Sequence, residues 1–91
     1  MDNLSKTERD ILKRIQKGDF VISLHAQTRM LERNIVSDDI VSVASSARSI
    51  RWQKKHESYL IKGNDLLGKK LSIAADLEDD VIIVTVFYED T

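Results

Sequence analysis

The run Val81-Ile82-Ile83-Val84-Thr85-Val86-Phe87-Tyr88 consists almost wholly of β-branched and aromatic residues. Such side chains pack well on a pleated surface and lose rotamer freedom in a helix. Both alternations of the run are apolar. A strand of that kind needs cover on both faces, so it is expected near the centre of a sheet. Immediately upstream, Asp76-Leu77-Glu78-Asp79-Asp80 is a short polar turn. Before it come three further period-two segments, Ser49-Ile50-Arg51-Trp52-Gln53, Ser58-Tyr59-Leu60-Ile61-Lys62 and Lys70-Leu71-Ser72-Ile73-Ala74-Ala75. They are separated by Lys54-Lys55-His56-Glu57 and by a glycine-bearing link from Gly63 to Gly68. Links this short join antiparallel neighbours, because a parallel return needs a crossover of a dozen residues or more. The second half of the chain therefore predicts a four-stranded antiparallel meander.

The first half reads as helix. Ser5 and Glu8 have the spacing of a capping box, and Leu4, Ile11, Leu12 and Ile15 recur at helical intervals until Gly18. Phe20-Val21-Ile22-Ser23 is a short extended piece. A second helix runs from about His25 to Asn34, a residue type that tolerates the left-handed conformation. Ser37-Asp38-Asp39 opens a third, with Ile40, Val41, Val43, Ala44 and Ala47 as its apolar side. Helices followed by strands make an α+β fold, with the N-terminal helices packed on one face of the meander. At 91 residues the chain suits a single domain spanning 1–91.

Composition narrows the function classes. There is no cysteine, so disulfides, thiolate metal sites and cysteine nucleophiles are excluded. No apolar run approaches the ~20 residues needed to span a bilayer, and Met1-Asp2-Asn3-Leu4-Ser5-Lys6 does not resemble a secretory signal. A cytoplasmic protein that contacts no membrane is the expectation. Residues 1–75 hold all 14 Lys and Arg against 9 Asp and Glu, while residues 76–91 hold 6 acids and no base. A basic body suits a polyanion, and an acidic end suits a basic partner or simple charge balance.

Two places concentrate chemistry. On the second helix His25, Thr28, Arg29, Glu32 and Arg33 share an arc of about 140°. Leu24, Ala26, Gln27, Met30 and Leu31 occupy the other side. An imidazole beside guanidinium groups suits a phosphodiester. The competing reading is a solvated face in which Arg29 and Arg33 pair with Glu32. On the sheet, Arg51, Lys70 and Ser72 alternate away from Ile50, Leu71 and Ile73 and so line the face without helices. Tyr59 or Lys62 joins them according to a register that sequence alone does not set. Trp52 shares the parity of Ile50 and is expected in the core.

The segment His25-Ala26-x-x-Arg29-Met30-x-Glu32-Arg33-x-Ile35, with Ile82-Ile83-Val84-Thr85-Val86-Phe87-Tyr88 closing the chain, resembles a small bacterial family known as a domain of unknown function. The likeness extends from Ile11 onward. In element order that family is similar to the MqsR and RelE-like toxins, metal-independent mRNA endoribonucleases of type II toxin–antitoxin systems. The resemblance implies attack of a ribose 2′-hydroxyl on the adjacent phosphate, leaving a 2′,3′-cyclic phosphate, with no cofactor and no metal. It implies His25 as base or acid, and Arg29, Arg33 or Lys62 as phosphate ligands. Tyr88 and Tyr59 become proton donors or stacking platforms, and Arg51, Lys62, Lys70 and Tyr88 the groups nearest a sheet-borne site. The implied partners are mRNA, free or on the ribosome, and a cognate antitoxin of zinc-finger or helix-turn-helix type. The alternative is a non-catalytic RNA- or protein-binding module on a degenerate toxin fold.

Overall fold

The computed structural model describes residues 3–89; Met1 and Asp2, at the start where no secretory signal is expected, and Asp90 and Thr91 of the acidic end lie outside them. The elements are α1 (Lys6–Gln16), β1 (Val21–Ile22), α2 (Leu24–Arg33), α3 (Ser37–Ser45), β2 (Ser49–Gln53), β3 (Ser58–Asn64), β4 (Lys70–Leu77) and β5 (Val81–Tyr88). The fold is α+β: three helices cover one face of a five-stranded sheet of order β1-β5-β4-β3-β2.

Local chemistry explains the helix limits. The Ser5 hydroxyl accepts the Glu8 amide at 3.1 Å, and the Glu8 carboxylate accepts the Ser5 amide at 2.8 Å. This reciprocal pair starts α1. Gly18, at φ +77°, ends the helical run as the chain reverses, with the Asp19 amide donating to the Arg14 carbonyl. Asn34 takes the left-handed position (φ 57°) that closes α2. The start of α3 departs from expectation. Val36, not Ser37, is the N-cap, and the Asp39 carboxylate reaches back to the Val36 amide at 3.0 Å.

The strands β2 to β5 form the expected antiparallel meander. Two features differ from it. First, β1 pairs with β5 in parallel through Val21–Ile82 and Ile22–Ile83, so the sheet is mixed. Two residues carry too little alternation to declare a strand. What fixes them is Ser23, whose amide donates to the Ile83 carbonyl while its hydroxyl caps α2 at Ala26 and donates to the Val84 carbonyl. Second, the central strand is β4, not β5. β5 has β1 beside it over only two residues, and Val84 and Phe87 remain exposed. Leu71 through Ala75 of β4 are buried without a break.

One core lies between the sheet and the helices. Ile11 and Ile15 of α1, Ile40 and Val43 of α3, and Ile61, Leu71, Ile73, Ile83 and Val86 of the sheet are all essentially inaccessible. α3 lies across β3 so closely that a Cβ on Gly63 would collide with the Val43 carbonyl. Glycine is required there for proximity, not for its backbone freedom. Gly63→Ala is therefore expected to lower stability by about 1–3 kcal/mol, the usual range for overpacking. Urea unfolding with unchanged m-value would measure it.

Candidate nucleic-acid interface

The strand register decides which side chains reach the face without helices. Ile50, Ile61 and Ile73 are cross-strand partners on the core side. Their alternates Arg51, Lys62, Lys70 and Ser72 therefore lie on the open side, with Lys62 directly opposite both Ser49 and Ser72. The register thus selects Lys62, not Tyr59, for this face. Tyr59 lies on the helix side, where its ring meets Trp52 edge-on at 5.0 Å. Trp52 has core parity but remains half-exposed. It sits at the far end of edge strand β2, whereas the α3 contacts are with β3 and β4.

A β-bulge brings the aromatic group to the open face. Between Ala74 and Ala75 the register of β5 shifts by one, with Ala74 opposite Thr85 and Ala75 opposite Ile83. Val84 is the extra residue. The shift lets both Ile83 and Val86 enter the core, and it turns Thr85 and Phe87 outward. Phe87 then stands opposite Ser72 and stays 42% exposed. Ser72 itself is fully buried between its neighbours Lys62 and Phe87, and its hydroxyl has no hydrogen-bond partner among the described residues.

The bulge also borders a groove of about 380 Å³ lined by Gln53, His56, Ser58, Ala74, Val84, Thr85 and Phe87. His56 reaches it from the β2–β3 turn, which is closed by the His56 amide donating to the Gln53 carbonyl and by Glu57 at φ 48°. In the sequence His56 stands only within the Lys54-Lys55-His56-Glu57 link between two strands, and no role was assigned to it. The available signal was the hairpin itself, since pairing Gln53 with Ser58 puts the turn at the end of the open face.

The α2 residues form a separate group. α2 packs on β5 through Ala26 and Met30, on the core side of the sheet. His25, Arg29 and Arg33 are exposed there, and Arg29 meets Glu32 at 3.5 Å. An exposed pair of this kind contributes about 0–1 kcal/mol. One phosphate does not touch both His25 and Lys62, because the sheet stands between them. Leu24 and Leu31, on the arc read as apolar, are exposed instead of buried.

Tyr88 has a different setting again. It follows core parity opposite Leu71, and its hydroxyl donates to the Asp65 carboxylate at 2.7 Å. The other oxygen of buried Asp65 accepts the Leu67 amide at 2.9 Å and the Lys69 amide at 2.8 Å. Burial opposes the charge on Asp65, but the Tyr88 hydroxyl, these two amides and the nearby Lys69 ammonium outweigh it. The carboxyl is held below its ordinary value. Burial and then the bond to Asp65 push the Tyr88 hydroxyl up to about 12. Its proton is committed to a structural bond.

A family model for a domain of unknown function, DUF4258, matches residues 22–88. The chain belongs to the DUF4258 family. The match takes in β1 from Ile22, helices α2 and α3, and the whole meander. Helix α1 lies outside it, although the resemblance was expected to begin at Ile11. The DUF4258 segment thus contains both the open face and the His25 helix. No curated protein and no solved structure matches the chain. Among the described residues no three His, Cys, Asp or Glu side chains converge as metal ligands, and no helix is long and apolar enough to cross a membrane.

The Asp65–Tyr88 bond has a pH signature at both ends. Asp65 is depressed on folding, so its stabilisation is complete above its unfolded value of 3.8 and is lost as pH falls through the lower folded value. Tyr88 is raised on folding, so its stabilisation is complete below 10.0 and is lost as pH rises through about 12. Absorbance titration is expected to show one tyrosine ionising near pH 12. Tyr88→Phe should abolish that step, lower stability at pH 7 by about 1–3 kcal/mol by stripping a donor from a buried carboxylate, and make the acid limb of the stability profile shallower.

Proposed function

We propose that this DUF4258 domain binds single-stranded RNA across the open sheet face. The observation that carries the reading is the gathering of Arg51, Lys62 and Lys70 on one face with half-exposed Phe87. Among the described residues none of the three cations is paired with a carboxylate. Asp76 lies at the far end of the face, with its carboxylate turned to the Leu77 amide. Cations along a flat face track a phosphate backbone, and an exposed ring beside them stacks a base.

The toxin resemblance extends this to cleavage, and the groove histidine supports it. A strand rise of about 3.4 Å per residue puts Lys62 roughly 14 Å along β3 from Ser58, where His56 approaches, with Arg51 between. A phosphate beside Arg51 is thus within reach of His56, and Lys62 and Lys70 serve the phosphates next to it. In the proposed step His56 removes the 2′-hydroxyl proton and the 2′-oxygen bonds to phosphorus. The bond to the 5′-oxygen breaks, and water protonates that oxygen. Arg51 offsets the charge that develops on the phosphate. His25 and Tyr88 are given no part, the one for its place across the sheet and the other for its bond to Asp65.

A labelled single-stranded oligoribonucleotide tests both levels. Arg51→Ala and Lys62→Ala should each weaken binding and reduce the slope of log affinity against log salt by about one, and Phe87→Ala should cost about 1–3 kcal/mol. Cleavage to a cyclic phosphate should fall about 100-fold or more in His56→Ala and be unchanged in His25→Ala. Binding indifferent to all three substitutions overturns the interface. Binding that depends on them without any cleavage leaves a binding module and overturns the nuclease.

A further inference from the structure

The open face includes a polar group that holding phosphates and bases leaves without a task. Ser72 of β4 has essentially no accessible surface, and its hydroxyl has no hydrogen-bond partner among the described residues. A buried hydroxyl without a partner loses its bonds to water on folding and gains none in return. Alanine, which β4 carries at positions 74 and 75, fills nearly the same space without that penalty. The Ser72 hydroxyl therefore adds no bond to the fold of the free protein.

Its place in the sheet says what it can meet. Lys62 stands directly opposite Ser72 on one side and Phe87 directly opposite on the other. Neighbouring strands are about 4.8 Å apart, so the three residues form a row with roughly 10 Å between its outer backbones. All three have the parity of the face without helices. One end of the row is an ammonium that no carboxylate pairs among the described residues, and the other is a half-exposed phenyl ring. A nucleotide has the same order of parts: phosphate, ribose, base. With its phosphate on Lys62 and its base on Phe87, its ribose crosses Ser72. The cations and the ring do not tell RNA from DNA, because phosphates and stacking bases belong to both. The 2′-hydroxyl is the group that differs, and it both donates and accepts.

We infer that Ser72 reads the sugar. Its hydroxyl bonds the ribose 2′-hydroxyl of the nucleotide held between Lys62 and Phe87, and the face thereby selects RNA over single-stranded DNA. The inference rests on the proposed RNA interface and adds its selectivity. Lys62 carries its ammonium on a flexible four-carbon stem and is partly exposed. Drawing that ammonium to a phosphate opens the space above Ser72 to the sugar. The hydroxyl then gains the partner it lacks in the free protein. A deoxyribose strand leaves it unpartnered, so the gain belongs to RNA.

A labelled oligouridylate and the 2′-deoxy strand of the same bases and length differ only in that hydroxyl. Their affinities are compared by fluorescence anisotropy in the His56→Ala background, where the proposed cutting group is absent. The ribose strand is expected to bind about three- to tenfold more tightly, the usual contribution of one neutral hydrogen bond. Adding Ser72→Ala should bring the ratio of the two affinities near one through a loss on the ribose strand. The urea midpoint of Ser72→Ala should be no lower than that of the unsubstituted chain, because no internal bond is removed. Lys62→Ala should weaken both strands and keep the ratio. Equal binding of the two strands before substitution overturns the inference, as does a ratio that survives Ser72→Ala. So does an equal loss on both strands or a lower urea midpoint, either of which makes the hydroxyl part of the fold. Binding of both strands that is indifferent to Lys62→Ala and Phe87→Ala is a separate result: it overturns the interface itself, and the sugar reading with it.

Discussion

Two buried carboxylates hold one end of the sheet together, and the register of its central strands is fixed there. Asp39 and Asp65 between them accept the amides of Val36, Leu66, Leu67 and Lys69 and the hydroxyl of Tyr88. That network ties the N-terminus of α3, the β3–β4 loop and the last residue of β5 to one another. It pins the β3–β4 register at the loop that joins the two strands. A slip of one residue there would exchange the two faces of a strand. Lys62 would then point into the core and Ile61 to solvent, a cost no local interaction could offset.

The resulting molecule is strongly two-sided. The core side carries three helices, an aromatic pair at one end and an apolar rim at the other. The open side carries cations, one phenyl ring and a histidine-bordered groove. The bulge at Val84 is the device that allows both from one apolar strand. It gives the core Ile83 and Val86 from consecutive turns of the pleat and hands Phe87 to the other side. Without it Phe87 would occupy the core and Val86 the surface, and the open face would lose its phenyl ring.

Much of this was legible from residue order. The capping box at Ser5 and Glu8, the left-handed stop at Asn34 and the four meander strands are local signals, and each is where its chemistry puts it. The parity of Arg51, Lys70 and Ser72 was likewise readable. What escaped depended on partners distant in the chain. β1 is a strand only because β5 is beside it. Tyr88 looked like a proton donor because Asp65, which holds its hydroxyl, is 23 residues away. His25 and Lys62 looked like one site because a periodic pattern reports which side of its own helix or strand a residue takes, and not which side of the sheet that helix then covers. His56 was missed for the converse reason, being unremarkable in its turn and significant only for where the hairpin delivers it.

The parallel pairing of β1 with β5 sets a condition on how the chain assembles. Val21 and Ile82 are about 60 residues apart, and closing a loop of that length must precede any reward from the contact. α2 rests on β5 as well, and α1 touches it. During synthesis α1 and α3 can pack on each other as soon as both have emerged, whereas α2 has no strand to dock on until β5 has emerged. α2 waits for β5, and its apolar side is open to chaperones and proteases in that interval.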